Sequence, residues 1–467
     1  MYANDGGVIM LDLVIKNGKI VNWNETVRAD VGIKDGVIVC IGNSESFTES
    51  AKVLDAKGNL IMPGLIDSHV HVGMELGEFT SLDDYENATL SAAFGGTTSI
   101  VDFAIPVNGQ TPIEALESSM QKAKNRSIID YSFHGCVINS NQKSLSDVRE
   151  LITGGIPSIK MFTVYKDLVM LDLGGVVEVL KIISENNGIA KIHAESAPII
   201  ESMIAKHVNE GKLSPFYHAK SRPVVSESSA VAGLVPLSET TGAPIIFVHM
   251  TSGAVKPYIA DAKKKHKIYT EFCPHYLTLS EEVYERADAQ NFVCSPPMRS
   301  SDDVKVLWEM IEEGLCDTIN SDHSAYDTTQ KNIHKDYFPR IPNGLPGIET
   351  RGPVMFSEGV ANGKITENQF VQMLSTNDAK LMGMYPKKGV ISIGSDADII
   401  IIDPNAKYVM KSSNLHMATD YTPFENFEIT GKVTHTIIRG NVVISDNEYV
   451  NKSFRGEMIK RTSPILY

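Results

Sequence analysis

The feature that most limits how this chain can fold is an alternation of short apolar runs with longer helical patterns between residues 64 and 385. Strands of a buried parallel sheet are apolar on both faces, and each needs a helical crossover to reach the next. Eight runs fit such strands, at residues 65–71, 98–103, 131–137, 158–162, 189–194, 244–249, 267–272 and 317–322. The pattern predicts an α/β fold, a (β/α)8 TIM-like barrel. An open doubly wound sheet is the alternative, but no Gly-rich phosphate loop follows the first run.

Both ends of the chain have a different texture, with short alternating runs separated by Asn-Gly, Asp-Gly and Gly-Asn turns. Residues 13–21 and 31–38 are predicted hairpins, and residues 398–403 and 435–443 are predicted strands. We therefore assign residues 1–62 and 386–467 to one small β-sandwich domain formed by both termini. Residues 63–385 form the predicted catalytic barrel domain, which ends with a helix at residues 371–384.

Composition narrows the classes of partner. The formal net charge of −14 argues against nucleic acid and against an anionic membrane, since both select basic surfaces. No apolar run reaches the roughly 20 residues of a membrane span, and residues 1–10 lack the basic and apolar regions of a signal peptide. The five cysteines are scattered without paired spacing, which is typical of reduced thiols in a cytoplasmic protein.

Polar residues mark the carboxyl ends of several predicted strands, which is where barrels of this kind carry their chemistry. Each of these residues either binds metal ions directly or can be converted into a ligand. They are His69 and His71 on the first strand, Lys160 on the fourth, His193 on the fifth, His249 on the sixth and Asp322 on the eighth. Their coincidence predicts a metal centre at this end of the barrel.

His69 and His71 are expected on the same face of their strand, because side chains repeat with period two. Two neutral imidazoles suit a borderline cation such as zinc. This pair alone also fits ordinary buried histidines, as do His193 and His249 taken singly. Together with Asp322, whose carboxylate can bind a metal and accept a proton, they favour ligation.

Lys160 is unusual among these residues, because an ammonium group has no lone pair and is repelled by cations. One interpretation is a substrate-binding or surface lysine. The other is that neighbouring cations drive the amine to its neutral form, which adds carbon dioxide to give a carbamate. A carbamate is a two-oxygen ligand on a long arm, and it would bridge two metal ions.

With these residues in place, the sequence resembles the dihydropyrimidinase and hydantoinase family of cyclic amidohydrolases over nearly its whole length. The most specific matches are Pro-Gly-Leu-Ile-Asp-Ser-His-Val-His at residues 63–71 and Ala-Phe-Gly-Gly-Thr-Thr at residues 93–98. Others are Cys-Ser-Pro-Pro-Met-Arg at 294–299, Ser-Asp-His at 321–323 and Asn-Gly-Leu-Pro-Gly-Ile-Glu at 343–349.

The resemblance implies a role for each residue of the site. His69, His71 and Asp322 would hold one metal ion, His193 and His249 the other, and carboxylated Lys160 would bridge the two. It also implies that Tyr165 polarises the scissile carbonyl, that main-chain groups at Ser295 and Asn343 hold the ring imide, and that the chain forms a homotetramer. We further expect residues 73–79, including Leu76, together with Phe162 and Val169, to line the substituent pocket, because loops on a rigid barrel carry such variation.

The expected function is metal-dependent hydrolysis of dihydropyrimidines or 5-substituted hydantoins to N-carbamoyl amino acids. Two divalent ions, with zinc the expected metal, would activate a water, and Asp322 would carry its proton to the leaving nitrogen. Three alternatives remain open: an allantoinase or other cyclic amidase, a mononuclear deaminase that has no need of Lys160, and a non-enzymatic structural relative. The natural substrate and the D or L preference also stay open.

Overall fold

The structure is a computed structural model, and it describes residues 10–47, 50–107 and 109–467. Residues 1–9, where the sequence predicts no signal peptide, lie outside the described residues. Among the helices in the described part of the chain, none is both long and apolar enough to cross a membrane.

The centre of the molecule is an eight-stranded parallel sheet whose strands follow one another in chain order. They span Leu65–Val70, Thr97–Ala104, Asp130–Cys136, Ser158–Phe162, Ile189–His193, Ile245–Phe247, Ile268–Phe272 and Thr318–Ile319. The sheet closes where Val70 bridges His323 in parallel and the His71 amide donates to the His323 carbonyl over 2.8 Å. The (β/α)8 barrel is therefore confirmed. The first and last residues of every predicted strand lie within three residues of those observed.

Helices cover the outside of the barrel, and side-chain caps set several of their first turns. Thr111 and Glu114 form a capping box ahead of Pro112–Ala123, and Asn141 caps Gln142–Thr153. The α-helices are Tyr85–Phe94, Pro112–Ala123, Gln142–Thr153, Leu173–Glu185, Ala197–Asn209, Phe216–Ser221, Val224–Thr241, Lys256–Ala262, Pro274–Thr278, Ser301–Glu312, Thr328–Ile333, Arg351–Met355, Glu367–Val371 and Asn377–Leu381. The helix predicted at 371–384 is present but begins at Glu367. The π-helical segment Gln372–Thr376 joins the helices Glu367–Val371 and Asn377–Leu381 into one.

Strands from both ends of the chain form two further sheets. The four-stranded sheet contains Leu13–Lys16, Asp30–Lys34, Val37–Gly42 and Val53–Asp55. The seven-stranded sheet contains Lys19–Val21, Thr26–Arg28, Leu60–Pro63, Ile399–Val409, Glu428–Ile438, Asn441–Ser445 and Glu448–Tyr449. Ile15 and Ile33 from the first sheet join Ile61, Ile399 and Ile437 from the second in one buried cluster. This shared core makes the two sheets a sandwich.

Only one of the two predicted N-terminal hairpins forms. Asp30–Lys34 and Val37–Gly42 pair antiparallel around Asp35 and Gly36, which have φ of 50° and 78°. The prediction for residues 13–21 was wrong, because Leu13–Lys16 and Lys19–Val21 lie in different sheets. Asn17-Gly18 carries the chain across the sandwich, and a Cβ on Gly18 would lie 2.2 Å from Ile61 Cδ1.

The residues after Tyr449 leave the sandwich and run along the barrel. Ile459 donates its amide to the Tyr131 carbonyl over 2.7 Å, and Arg461 Nη1 lies 2.9 Å from Ser158 Oγ. Arg461 is buried by this contact. The sequence assigned the whole of 386–467 to the small domain. Residues 454–457 do contact Arg439 of that domain, whereas residues 459–467 lie against the barrel, where Thr462 and Tyr467 bond to Gly383 and Tyr269.

Candidate active site

The strand-end residues come together at the carboxyl end of the barrel. His69, His249 and Asp322 each offer a ligand atom, and these three atoms lie within 4.8 Å of one another. His71 Nε2 lies 3.2 Å from Asp322 Oδ1, and the ring centroids of His193 and His249 are 4.5 Å apart. The four histidines and the aspartate therefore form one compact and largely buried group.

Lys160 lies on the fourth barrel strand beside this group and is only 1% exposed. Its Nζ is 4.6 Å from the centroid of the Phe103 ring and 4.9 Å from that of Phe162. Within the described ranges, no carboxylate forms an ion pair with it. Burial lowers the pKa of Lys160 to about 8 although the charges of Asp322 and Glu271 oppose the shift. This burial contradicts the surface-lysine interpretation.

Three residues of the site adopt backbone angles that are unfavourable for non-glycine residues. Asp322 and His249 lie just beyond the strands that precede them, with φ of 50° and 41°, and Tyr165 has φ of 67°. Such conformations cost on the order of 1–3 kcal/mol each and persist where the surroundings enforce them. The surrounding fold therefore holds these three side chains in fixed directions.

Two buried glutamates stand behind the histidines. Glu271 accepts a hydrogen bond from His69 Nδ1, and His69 Nε2 lies 3.0 Å from Asp322 Oδ1. Glu195 lies 2.7 Å from His193 Nε2 and forms an ion pair with Arg222. Each glutamate holds one ring nitrogen of its histidine, and at His69 the other nitrogen faces Asp322. Carboxylates behind metal-binding histidines orient them in this way.

The protonation states also suit metal binding, which needs neutral imidazoles and an ionised carboxylate. Burial lowers the pKa of His71 to about 4, and it lowers the pKa values of His193 and His249 as well. Burial raises the pKa of Asp322, but contacts with His69 and His71 outweigh it and hold that pKa well below its usual range. At neutral pH, His71, His193 and His249 are therefore uncharged and Asp322 is negative.

Three ring nitrogens of this group form no hydrogen bond of normal geometry with the residues that the structure describes, although His69 Nε2 lies close to Asp322. They are His69 Nε2, His71 Nδ1 and His249 Nδ1, and all three are buried. Buried polar atoms without partners are rare, and an absent ion is one of the ordinary explanations. Imidazole nitrogens with a carboxylate oxygen are a donor set that zinc prefers. The residues present therefore fit a divalent metal site.

Tyr165 and Phe162 line the same end of the barrel. The Tyr165 ring centroid lies 5.5 Å from that of His193 and 5.4 Å from the Arg222 guanidinium carbon. Burial raises the pKa of Tyr165, although Arg222 opposes this shift, so the phenol keeps its proton at neutral pH. The Phe162 ring lies 5.9 Å from that of His193. Leu76 belongs to the short strand Glu75–Leu76, and its side chain lies outside what the structure describes.

The loops that carry Ser295 and Asn343 meet close to Asp322. The Gly344 amide donates to the Val293 carbonyl over 3.0 Å, and the Ser324 amide donates to the Leu345 carbonyl over 2.9 Å. Ser295 is buried, and Asn343 Oδ1 has no hydrogen-bond partner in the described part of the chain. A polar atom left unpaired at the mouth of a site is suited to contact a ligand.

Two other histidines are held by protein contacts. His134 Nε2 lies 2.8 Å from the Ser68 carbonyl and its Nδ1 lies 2.6 Å from Ser158 Oγ, so it packs inside the barrel. His323 Nδ1 accepts from the Gly347 amide at 3.1 Å, and its Nε2 lies 3.1 Å from Asp83 Oδ2. Because one ring nitrogen of His323 is hydrogen-bonded to the Gly347 amide and the other faces Asp83, it is poorly placed to protonate a leaving group in place of Asp322.

Glu271, Glu195 and Arg222 were not identified as site residues from the sequence. The one available signal for Glu271 is an acidic side chain inside the fully buried strand Ile268–Phe272, where a charge needs a partner. Glu195 stands two residues after His193, but spacing alone does not assign it a role.

Comparison with known proteins agrees with this geometry. Residues 60–443 match the amidohydrolase family, and residues 2–57 match the N-terminal domain of the urease alpha-subunit. A D-hydantoinase of Geobacillus stearothermophilus is 38% identical over 454 residues, 96% of each chain. The structure of a dihydropyrimidinase from Brevibacillus agri superposes with a TM-score of 0.94 at 36% identity, covering 97% of this chain and 99% of that one. An L-hydantoinase from Arthrobacter aurescens gives 0.89 at 27% identity, covering 97% and 100%. The chain belongs to the amidohydrolase family and, within it, to the dihydropyrimidinase and hydantoinase group of cyclic amide hydrolases.

Proposed function

We propose that the protein opens 5,6-dihydropyrimidines or 5-substituted hydantoins to give N-carbamoyl amino acids. The observation that carries the proposal is the convergence of four histidines, Asp322 and Lys160 at the carboxyl end of the barrel, beside the loops of Ser295 and Asn343. The relatives named D-hydantoinase and dihydropyrimidinase, which match nearly the full length, support the same substrate class.

We propose two divalent metal ions per chain, with zinc the preferred metal for this set of nitrogen and oxygen donors. The proposed ligands are His69, His71 and Asp322 for one ion, His193 and His249 for the other, and carboxylated Lys160 for both. Carboxylation joins the neutral Lys160 amine to carbon dioxide and releases one proton. The burial of Lys160 and its lack of an ion pair with any described residue support this step. A deaminase with one metal ion would have no use for this lysine.

In the proposed mechanism, the protein's own groups position the ring and move the proton. Two divalent cations bound at the site would supply an activated water and polarise the ring carbonyl. Tyr165 donates its phenol proton in a hydrogen bond to the carbonyl oxygen as negative charge develops there. Asp322 accepts the water proton and delivers it to the ring nitrogen. A carbon–oxygen bond forms, the ring carbon–nitrogen bond breaks, and the nitrogen leaves with the proton.

The test is a substrate panel with products identified by mass spectrometry. Dihydrouracil, hydantoin, D- and L-5-substituted hydantoins and allantoin separate the dihydropyrimidinase and hydantoinase activities from the allantoinase alternative. We expect N-carbamoyl products from dihydrouracil or from the hydantoins. Hydrolysis of allantoin alone would favour the alternative, and a fully metal-loaded protein that acts on none of these rings would contradict the proposal.

Phe162 and Leu76 are proposed to contact the exocyclic substituent of the ring. Phe162 lies close to both Lys160 and His193, so substitutions of Phe162 test whether it selects substrates or supports the site. Phe162→Leu and Leu76→Ala should alter the ratio of kcat/KM values among substituted hydantoins and change dihydrouracil turnover little. Equal loss on every substrate would assign both residues to support of the metal site.

We also propose a homotetramer, as the family resemblance implies, in the cytoplasm. All five cysteines are free and four of them are buried, in keeping with a reducing compartment. Light scattering coupled to gel filtration tests the assembly, and a mass of one or two chains would contradict it.

A further inference from the structure

Lys331 is a fully buried lysine on the short helix Thr328–Ile333, and it has no carboxylate partner among the described residues. Its Nζ instead donates to three backbone carbonyls. The distances are 2.8 Å to Val293, 2.7 Å to Pro342 and 2.8 Å to Gly344. An ammonium group has three donors, so these bonds use all of them.

The three carbonyls belong to two separate loops. Val293 lies in the segment before Ser295, while Pro342 and Gly344 flank Asn343 on either side. The Val293 carbonyl also accepts the Gly344 amide over 3.0 Å, so it receives hydrogen bonds from both the lysine and the second loop. Lys331 therefore joins the two loops at one point.

This junction is tightly packed against the residues that follow Asp322. Gly344 has φ of 137°, and a Cβ at that position would lie 2.3 Å from Ser324 Cβ. A side chain is excluded there because the loop passes directly over Ser324. Fixing the Gly344 carbonyl therefore fixes the position of Asn343 relative to Asp322, two residues before Ser324.

A buried cation without a counter-charge is costly unless it is completely hydrogen-bonded. An apolar side chain of similar length would fill the same space, so volume alone does not require a lysine here. What an apolar side chain cannot do is hold three carbonyl oxygens from two loops at one point. The chemistry of Lys331 therefore indicates control of loop position.

We propose that Lys331 is a positioning residue for substrate recognition, which holds the Ser295 and Asn343 loops in the arrangement that reads the imide of the ring. This inference rests on the proposed function, because it takes the ring to be bound by main-chain groups at Ser295 and Asn343. It adds a residue that touches neither the substrate nor the metal ligands.

The test compares Lys331→Met with Lys388→Met in the metal-loaded full-length protein. Lys388 is also a buried lysine, and it pairs with three aspartates outside the site. Its replacement therefore removes a buried charge and lowers stability without touching either loop. Main-chain contacts to the ring exist in both the ground state and the transition state, so Lys331→Met should raise KM for dihydrouracil about 10-fold or more with kcat within about three-fold. Metal content should not change, and Lys388→Met should leave KM unaltered.

Hydrogen–deuterium exchange supplies a readout that does not depend on turnover. Lys331→Met should selectively speed amide exchange at residues 293–295 and 343–345, and Lys388→Met should not single out these two loops. Where the Met variant does not fold, Lys331→Gln keeps an N–H donor on a shorter arm and should give smaller changes of the same kind. Unchanged exchange in both loops overturns the proposal, and so does faster exchange with unchanged KM. A wild type that turns over neither dihydrouracil nor hydantoin overturns the proposed function, while the exchange result still decides whether Lys331 holds the loops.

Discussion

Glu271 accepts a hydrogen bond from His69 Nδ1 across the barrel, between residues 202 positions apart in the sequence. This bond leaves His69 Nε2 to face Asp322. Burial raises the pKa of Glu271, but His69 and Lys191 outweigh burial and lower that pKa to about 2. The glutamate is therefore ionised at neutral pH. It therefore fixes both the tautomer and the direction of the imidazole.

Glu271→Gln should weaken metal binding about 10–100-fold, the usual effect of losing an outer-shell carboxylate. The amide can present its N–H to the ring and so no longer enforces one tautomer. A zinc titration against a competing chelator measures the change. Glu349→Gln is the matched control. Glu349 is also buried and lies 2.8 Å from a histidine nitrogen, His416 Nδ1, but this histidine is not one of the proposed ligands. Equal affinities in both variants would show that Glu271 does not orient His69 for metal binding.

Asp322→Asn should keep a substantial share of the metal and lose about two to four decades of turnover. Asparagine has nearly the same size and one oxygen ligand, but it cannot carry a proton. Metal content and kcat must be measured on the same sample. A fully metallated variant that is nearly as fast as the wild type would mean that Asp322 serves only as a ligand.

Lys388→Met should destabilise the protein by about 3–5 kcal/mol, because it leaves a buried acidic cluster without its cation. Lys388 Nζ lies 2.6 Å from both Asp130 and Asp398 and 3.0 Å from Asp396, and it joins the barrel to the small domain. Urea unfolding at neutral pH measures the loss. Lys305→Met, at an exposed lysine that pairs with Asp302, should change the free energy of unfolding little.

The contribution of Lys388 should also depend on pH. Burial lowers the pKa of Lys388, but Asp398 and Asp130 outweigh burial and raise it above its usual range. A folded-state pKa above the unfolded value gives stability that is complete below the unfolded pKa of about 10.4 and is lost as pH rises further. The difference in unfolding free energy between wild type and Lys388→Met should therefore be constant from about pH 7 to 9 and shrink above about pH 10.4. A gap that grows with alkaline pH would contradict this coupling.

The barrel could be predicted because its strands are buried on both faces and so read as apolar runs. Ser158–Phe162 has the predicted bounds, although Lys160 lies at the middle of this strand and not at its end. The small domain was harder, since Asn17-Gly18 has the composition of a hairpin turn but crosses between sheets. Whether these two residues form a hairpin or cross to the other sheet depends on their packing against Ile61. That residue is distant in the sequence, so the local pattern does not reveal the contact.

The positions of His69, His193 and His249 could be predicted because each is a polar residue at or just after the end of an apolar run. Their partners could not, because Glu271 reaches His69 and Lys331 reaches Val293 through contacts between distant segments. Lys331 is the clearer case, since it lies in a short polar helix with no periodicity to mark it as buried. Positive φ at Asp322 and His249 is likewise imposed by the closed barrel and leaves no trace in composition.

The most direct test of the proposed binuclear centre is the number of metal ions bound per chain in the wild type and in Lys160→Ala. Elemental analysis after dialysis in metal-free buffer gives both values, and dihydrouracil turnover is measured on the same samples. A carboxylated Lys160 that bridges the ions predicts two per chain in the wild type. The variant should hold fewer than one, because two cations within about 4 Å repel each other without the bridge, and its turnover should fall accordingly. One tightly bound ion in both proteins, with turnover unaffected by the substitution, would contradict the binuclear site.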